Sequence, residues 1–166
     1  MSGTLTTRGV RRALRDRIAA ITPRASYTTD VSVQSGATWH ESPVPLVSAF
    51  APPEPVQPLA FWIVRGRLAR RASRTGRDSI LVEAPITVRF LFPSRPKGLM
   101  ATAADDEDAV TDAAEHLLES LTEPEWGEVI GLSVDLGTDV FQTSYVGAGE
   151  VAMLCEIFLI VRYELG

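Results

Sequence analysis

The sequence predicts an α+β fold, a mainly antiparallel sheet with two helices packed on one face in the order α-β-β-β-α-β-β. Three observations carry that expectation. Residues 151–165, VAMLCEIFLIVRYEL, put Val151, Met153, Cys155, Ile157, Leu159, Val161, Tyr163 and Leu165 on one side in strict alternation, as a strand with a buried face requires. Residues 105–121 repeat apolar side chains at Val110, Ala113, Ala114, Leu117, Leu118 and Leu121, the spacing of one helical face. The remaining strands follow one another through short connections, which favours antiparallel pairing.

Taken in order, residues 7–21 form the first helix, with Val10, Leu14, Ile18 and Ile21 at helical spacing. Thr6 or Thr7 caps its start and Pro23 stops it. Its outward face carries Arg8, Arg11, Arg12, Arg15 and Arg17 against the single acid Asp16. Residues 27–34 follow as a short strand, in which Tyr27, Thr29, Val31 and Val33 alternate with Thr28, Asp30 and Ser32. Residues 36–58 hold six of the eleven prolines, and proline fixes φ and lacks a donor, so this stretch is neither helix nor central strand. Trp39, Leu46, Val47, Phe50 and Val56 make it too apolar for a linker. It is expected to be an extended arm docked on a surface, its own or a neighbour's.

Residues 59–68 and 79–92 are the two arms of a hairpin. Ile80, Val82, Ala84, Ile86, Val88, Phe90 and Phe92 share the inner face, and Pro85 points outward, weakening a central placement or marking a bulge. The tip, residues 65–77, holds Arg65, Arg67, Arg70, Arg71, Arg74 and Arg77, with Gly76 able to turn. In the second helix Asp105, Asp106, Glu107 and Asp108 occupy the first turn, where the helix dipole favours negative charge. Residues 129–140 are the next strand, with Ile130, Leu132, Val134, Leu136 and Val140 inward. The loop FQTSYVGAGE then presents Phe141 and Tyr145 as aromatics suited to an interface.

The length of 166 residues fits a single domain able to bury a core without metal or disulfide staples. A net charge of -5 gives no overall pull toward nucleic acid, and the lone Cys155 cannot form an internal disulfide and is expected to be a buried thiol. No run approaches the roughly 18 apolar residues of a membrane span, and the charged N-terminus has no apolar segment behind it, so neither membrane nor signal peptide is expected.

No catalytic, cofactor-binding or metal-ligating residues are assigned. The acids 105–108 point in different directions on a helix, and no further acids follow at loop-ligand spacing. His40 and His116, the only histidines, lack the partners of a zinc site and are expected to be solvent-facing or capping. No G-x-S-x-G elbow marks a nucleophile. Gly147-Ala148-Gly149 precedes a strand instead of a helix and lacks the rest of a phosphate loop. The arginine tip has three readings: a solvated hairpin end, a contact with phosphates, or a contact with an acidic protein surface. Residues 105–128, with ten acids and no Lys or Arg, supply such a surface within the same chain, and complementary patches on one subunit suit a head-to-tail ring.

With the helix RRALRDRIAAI, the hairpin through ILVEAPITVRFLF, the helix DAVTDAAEHLLESL and the final strand FLIVRYEL in this order, the chain resembles the small tail terminator and head–tail joining proteins of long-tailed bacteriophages. The likeness covers residues 8–21 and 59–165 as a pattern of elements; the arm 36–58 and the stretch 93–104 are longer than that pattern. The resemblance implies a structural virion protein without an active site, forming a ring, usually of six subunits, on the tail tube. Its implied partners are further copies of itself, the tail tube protein and the head connector or stopper, with genomic DNA only passing through the lumen. It would be assembled in the host cytoplasm and end in the neck of the virion. An adjacent ring layer of the neck, or a small nucleic-acid-binding adaptor using the arginine tip, are the alternatives.

Overall fold

The computed structural model describes residues 6–24, 27, 38–46, 58–71, 80–93, 103–122, 132–146 and 152–165. Helices α1 (Thr7–Ala19) and α2 (Ala103–Thr122) accompany six strands: β1 (His40–Glu41), β2 (Ala60–Arg65), β3 (Ala69–Arg71), β4 (Ile80–Pro93), β5 (Ser133–Val146) and β6 (Ala152–Leu165). The sheet runs β1-β2-β4-β6-β5, with β3 also on β4, and every pair is antiparallel except β1 with β2. With β2 and β3 as two pieces of one hairpin arm, the element order is α-β-β-β-α-β-β. The fold is the α+β architecture that the sequence predicts.

The last strand is central, as its length requires. It pairs with β4 over all fourteen residues, from Ile80↔Leu165 to Pro93↔Ala152, and carries β5 on its other side. Its alternating set Met153, Cys155, Ile157, Leu159, Val161 and Tyr163 is buried against the helices together with Val82, Ala84, Ile86, Val88, Phe90 and Phe92 of β4. Val10, Leu14 and Ile18 of α1 and the predicted apolar face of α2 close that core from above. Thr6 caps α1, its hydroxyl accepting from the Gly9 amide at 3.0 Å.

Pro85 marks a bulge. Its carbonyl accepts from the Gly66 amide at 2.8 Å. A residue in an antiparallel ladder presents both backbone groups to one neighbour, so the missing proline donor also faces the gap between β2 and β3. Between Arg65↔Ile86 and Ala69↔Glu83, three residues stand opposite two, an extra residue in the arm. Gly66 fits there because a Cβ would lie 3.0 Å from the Pro85 oxygen.

Two expectations are corrected, and one lies almost wholly outside the described residues. The strand expected at 27–34 lies outside the described residues except Tyr27, whose amide donates to the Arg24 carbonyl at 3.3 Å in a helical turn. The first described strand is β1, inside the proline-rich arm. Residues 38–46 of that arm dock on their own subunit: Trp39 is buried edge-on to Phe90 at 5.1 Å, and Leu46 joins Leu91, Ala152 and Leu154 in a second small core on the opposite face of the sheet. The rest of 36–58, apart from Pro58, lies outside the described residues.

The first correction concerns the expected loop at 141–150, because β5 continues through Val146 while residues 129–131 lie outside the described residues. The ladder of β6 reaches Ala152 and offers partners for the whole of FQTSYV. A register shift between Leu136 and Phe141 puts four residues of β5 opposite Phe158 alone, with Gly137 pressed so close that a Cβ would meet the Phe158 oxygen at 3.0 Å. Second, Leu136 and Val140, expected inward, are 47% and 39% exposed, because an edge strand at a bulge turns them out of the core.

Candidate functional site

The helical layer is electrically divided. Helix α1 carries Arg8, Arg11, Arg12, Arg15 and Arg17 with Asp16 alone against them. Helix α2 carries seven acids, Asp105, Asp106, Glu107, Asp108, Asp112, Glu115 and Glu119, and no Lys or Arg. The two lie side by side on one face of the sheet. At their junction Arg17 donates to the Ser120 carbonyl at 2.8 Å, and Arg24 reaches Glu119 at 2.5 Å and Asp112 at 3.8 Å. Tyr163 holds the start of α1 to β6 through a 2.9 Å bond between its hydroxyl and that of Thr7.

Beyond the junction the arginines of α1 line an open groove of about 580 Å³, formed by Thr6, Arg8, Gly9, Arg11, Arg12 and Arg15. Arg11 is anchored at the sheet edge by Glu41 at 2.7 Å and lies 5.3 Å from the centre of the Trp62 ring. Arg15 bonds Asp16 at 2.7 Å, and that bond pushes its pKa further up. Arg12 is 3.8 Å from the same carboxylate and mostly exposed. Arg8 is exposed and makes no ion pair among the described residues.

The residues singled out in the sequence are distributed unevenly over this picture. Arg65 and Arg67 are exposed at the break between β2 and β3. Arg70 and Arg71 lie in β3 with their side chains outside the described residues, as do Arg74 and Arg77 entirely. Asp105 and Asp106 open α2 with side chains not described, while Glu107 and Asp108 are exposed there. Phe141 is corrected from an exposed loop aromatic to a strand residue half-buried against the main core; Tyr145 lies in the same strand, its side chain outside the described residues. The basic groove of α1 was not among those candidates. The i, i+3, i+4, i+7 spacing of Arg8, Arg11, Arg12 and Arg15, applied to charge as it was to apolar residues, would have found it.

His116 is neither solvent-facing nor a cap. Its Nδ1 lies 2.7 Å from the Tyr27 hydroxyl, inside a cluster where Tyr27 also meets Trp39 edge-on at 6.4 Å. Burial, reinforced by the nearby Arg24, lowers its pKa. The His40 ring makes a local contact, its Nδ1 3.0 Å from the Thr38 carbonyl. Cys155 is fully buried and burial pushes its thiol far up.

On the other face of the sheet, Glu156 is buried between Arg89 at 2.9 Å and Gln142 at 3.0 Å, and Arg162 joins Glu83 and Asp135. Every charged group in these two rows is paired across strands. Among the described residues no three His, Cys, Asp or Glu gather as a metal site, and no helix is long and apolar enough to cross a membrane. What the surface offers is oppositely charged flanks and an open sheet edge at β5, with which only β6 pairs among the described residues. No protein-family model matches the chain and no curated protein is significantly similar to it, so what it does has to follow from these surfaces.

Proposed function

We propose that the chain is a structural virion protein, a tail terminator that closes into a ring on the tail tube and joins it to the head connector. The observation that carries this reading is the division of one helical layer into a basic and an acidic flank. A subunit that bears both halves of a complementary contact on different sides associates head to tail, and such contacts close into rings when the rotation between copies allows it. The element order α-β-β-β-α-β-β, on which the resemblance to tail terminator and head–tail joining proteins rests, supports the same reading. The open edge of β5, with Leu136 and Val140 exposed, leaves a second surface for the tail tube or the connector. A head-completion or neck protein of an adjacent layer shares all these features and differs only in which tube end it meets.

Electron microscopy of the purified protein at high concentration, with native mass spectrometry beside it, tests the ring. Closed rings with a tube-width hole are expected, and the mass gives the subunit number. Addition of preformed tail tubes and of connector rings then separates the two layers: a terminator caps the tubes. Protein that neither forms rings nor binds either component would end the reading.

A further inference from the structure

We infer that the arginine stripe of α1 docks on the acidic stripe of α2 of a second copy of this chain. This deepens the proposed ring by naming the contact through which it closes, and it rests on that reading only for closure.

The two stripes share one period. Arg8, Arg12 and Arg15 stand at i, i+4 and i+7 on α1; Asp108, Asp112, Glu115 and Glu119 stand at i, i+4, i+7 and i+11 on α2. Residues so spaced line a single helix face. The arginine face points away from the contact the helices make with each other, whereas the acidic face borders that contact at Asp112 and Glu119 and is open at Asp108 and Glu115. Arg17 meets α2, and Arg8 precedes it by nine residues, which at about 100° per residue places Arg8 on the opposite side of α1. On α2 the carbonyl of Ser120 receives Arg17, whereas Glu115 lies five residues earlier, roughly 140° around the helix.

The charges involved are available. Arg8 makes no ion pair among the described residues, and Arg12 and Arg15 share the one carboxylate of Asp16. Glu107, Asp108 and Glu115 are exposed and likewise make no ion pair among the described residues. Asp112 and Glu119 are already bridged by Arg24, so the open end of the acidic stripe is its N-terminal half and outer flank. One flank of the layer is therefore left positive and the other negative, and a copy displaced sideways sets one against the other. The chain supplies its own complement at matched spacing, and its net charge of -5 works against a polyanion in the groove.

Two reversals test the contact: Arg8→Glu with Arg12→Glu, and Asp108→Lys with Glu115→Lys. All four positions are exposed or weakly paired, and matching melting curves establish that each variant is folded. Sedimentation of the wild type is expected to show association that weakens with salt, and each variant is expected to associate about tenfold more weakly or worse. Mixing the two variants restores association, because the unaltered arginine stripe of the α2 variant meets the unaltered acidic stripe of the α1 variant, and the reversed positions face opposite charges where the other pair of stripes meets. A wild type that stays monomeric at low salt overturns the inference, as does association indifferent to both reversals. Duplex DNA bound by the wild type and lost in the α1 variant, with no rescue on mixing, also overturns it and makes the groove a polyanion site. Closed rings that survive both reversals remove this contact and leave the ring reading standing. Mutual rescue in a protein that caps no tube keeps the contact and removes the tail reading.

Discussion

The pair of Tyr27 and His116 shows how a residue becomes sensitive to pH through its surroundings. The imidazole accepts or donates a 2.7 Å bond to the Tyr27 hydroxyl, and burial holds its pKa below the ordinary 6.5. In the fold it stays neutral at a pH where the same side chain in the unfolded chain has taken up a proton. Below 6.5 and down to the lower folded value, the unfolded state binds more protons, so stability falls as pH falls through that window and is level above it. Urea midpoints measured from about pH 5 to about pH 8 should rise and then flatten, and His116→Gln should remove most of the rise. An unchanged slope in the variant would assign the dependence to other groups. The sequence could not place this pair, because 89 residues separate its members and nothing local marks either as a partner. Cys155 was legible, since strict alternation along the final strand fixes which face it occupies.

At the scale of elements, strands β4 and β6 are joined on their outer face by a cross-strand ion pair at register. Arg89 lies opposite Glu156, bonds it at 2.9 Å and also donates to the Leu46 carbonyl at 3.0 Å. Glu156 is 8% exposed. Arg89→Leu leaves a buried carboxylate without its cation and should cost about 3 kcal/mol in urea denaturation, whereas Arg89→Leu with Glu156→Leu should cost clearly less than the two singles added. Strict additivity would show that the two groups are independently solvated. The bulge in β5 makes a second prediction: Gly137→Ala drives a methyl into the Phe158 backbone and should cost roughly 1–3 kcal/mol, read as a lower urea midpoint. A neutral result would mean that the edge strand shifts freely. That bulge is also why β5 was misread. Four residues opposite one reset the alternation, and FQTSYV resembles a loop because Gln142, Thr143 and Ser144 are exposed polar residues on an edge strand. The helices and the other long strands keep one period from end to end, which is why their faces could be read directly. The Pro85 bulge was legible for a different reason, since a proline without a donor fits inside a strand only at an open edge or a bulge.

At the scale of the molecule, the order β1-β2-β4-β6-β5 inserts the final strand between two that precede it, and the sequence indicated only that this strand must be shared. Pairing partners separated by the whole of α2 and β5 are chosen by burial on one common face, which no local pattern records. The consequence is a gradient of stability across the sheet. Strands β4 and β6 have neighbours on both sides and bury their inner residues almost completely, so their amides open only with the whole domain. In β5, alternate amides point toward β6 and the others toward the open edge. Hydrogen exchange should therefore be slowest in β4 and β6 and should split β5 into alternating slow and fast positions. The same measurement repeated at high protein concentration separates two ways of self-association. If copies meet through the charged helices, the fast amides of β5 stay fast as association proceeds. If they slow together, the copies are extending the sheet across the β5 edge, and the basic and acidic flanks of the helical layer serve some other contact.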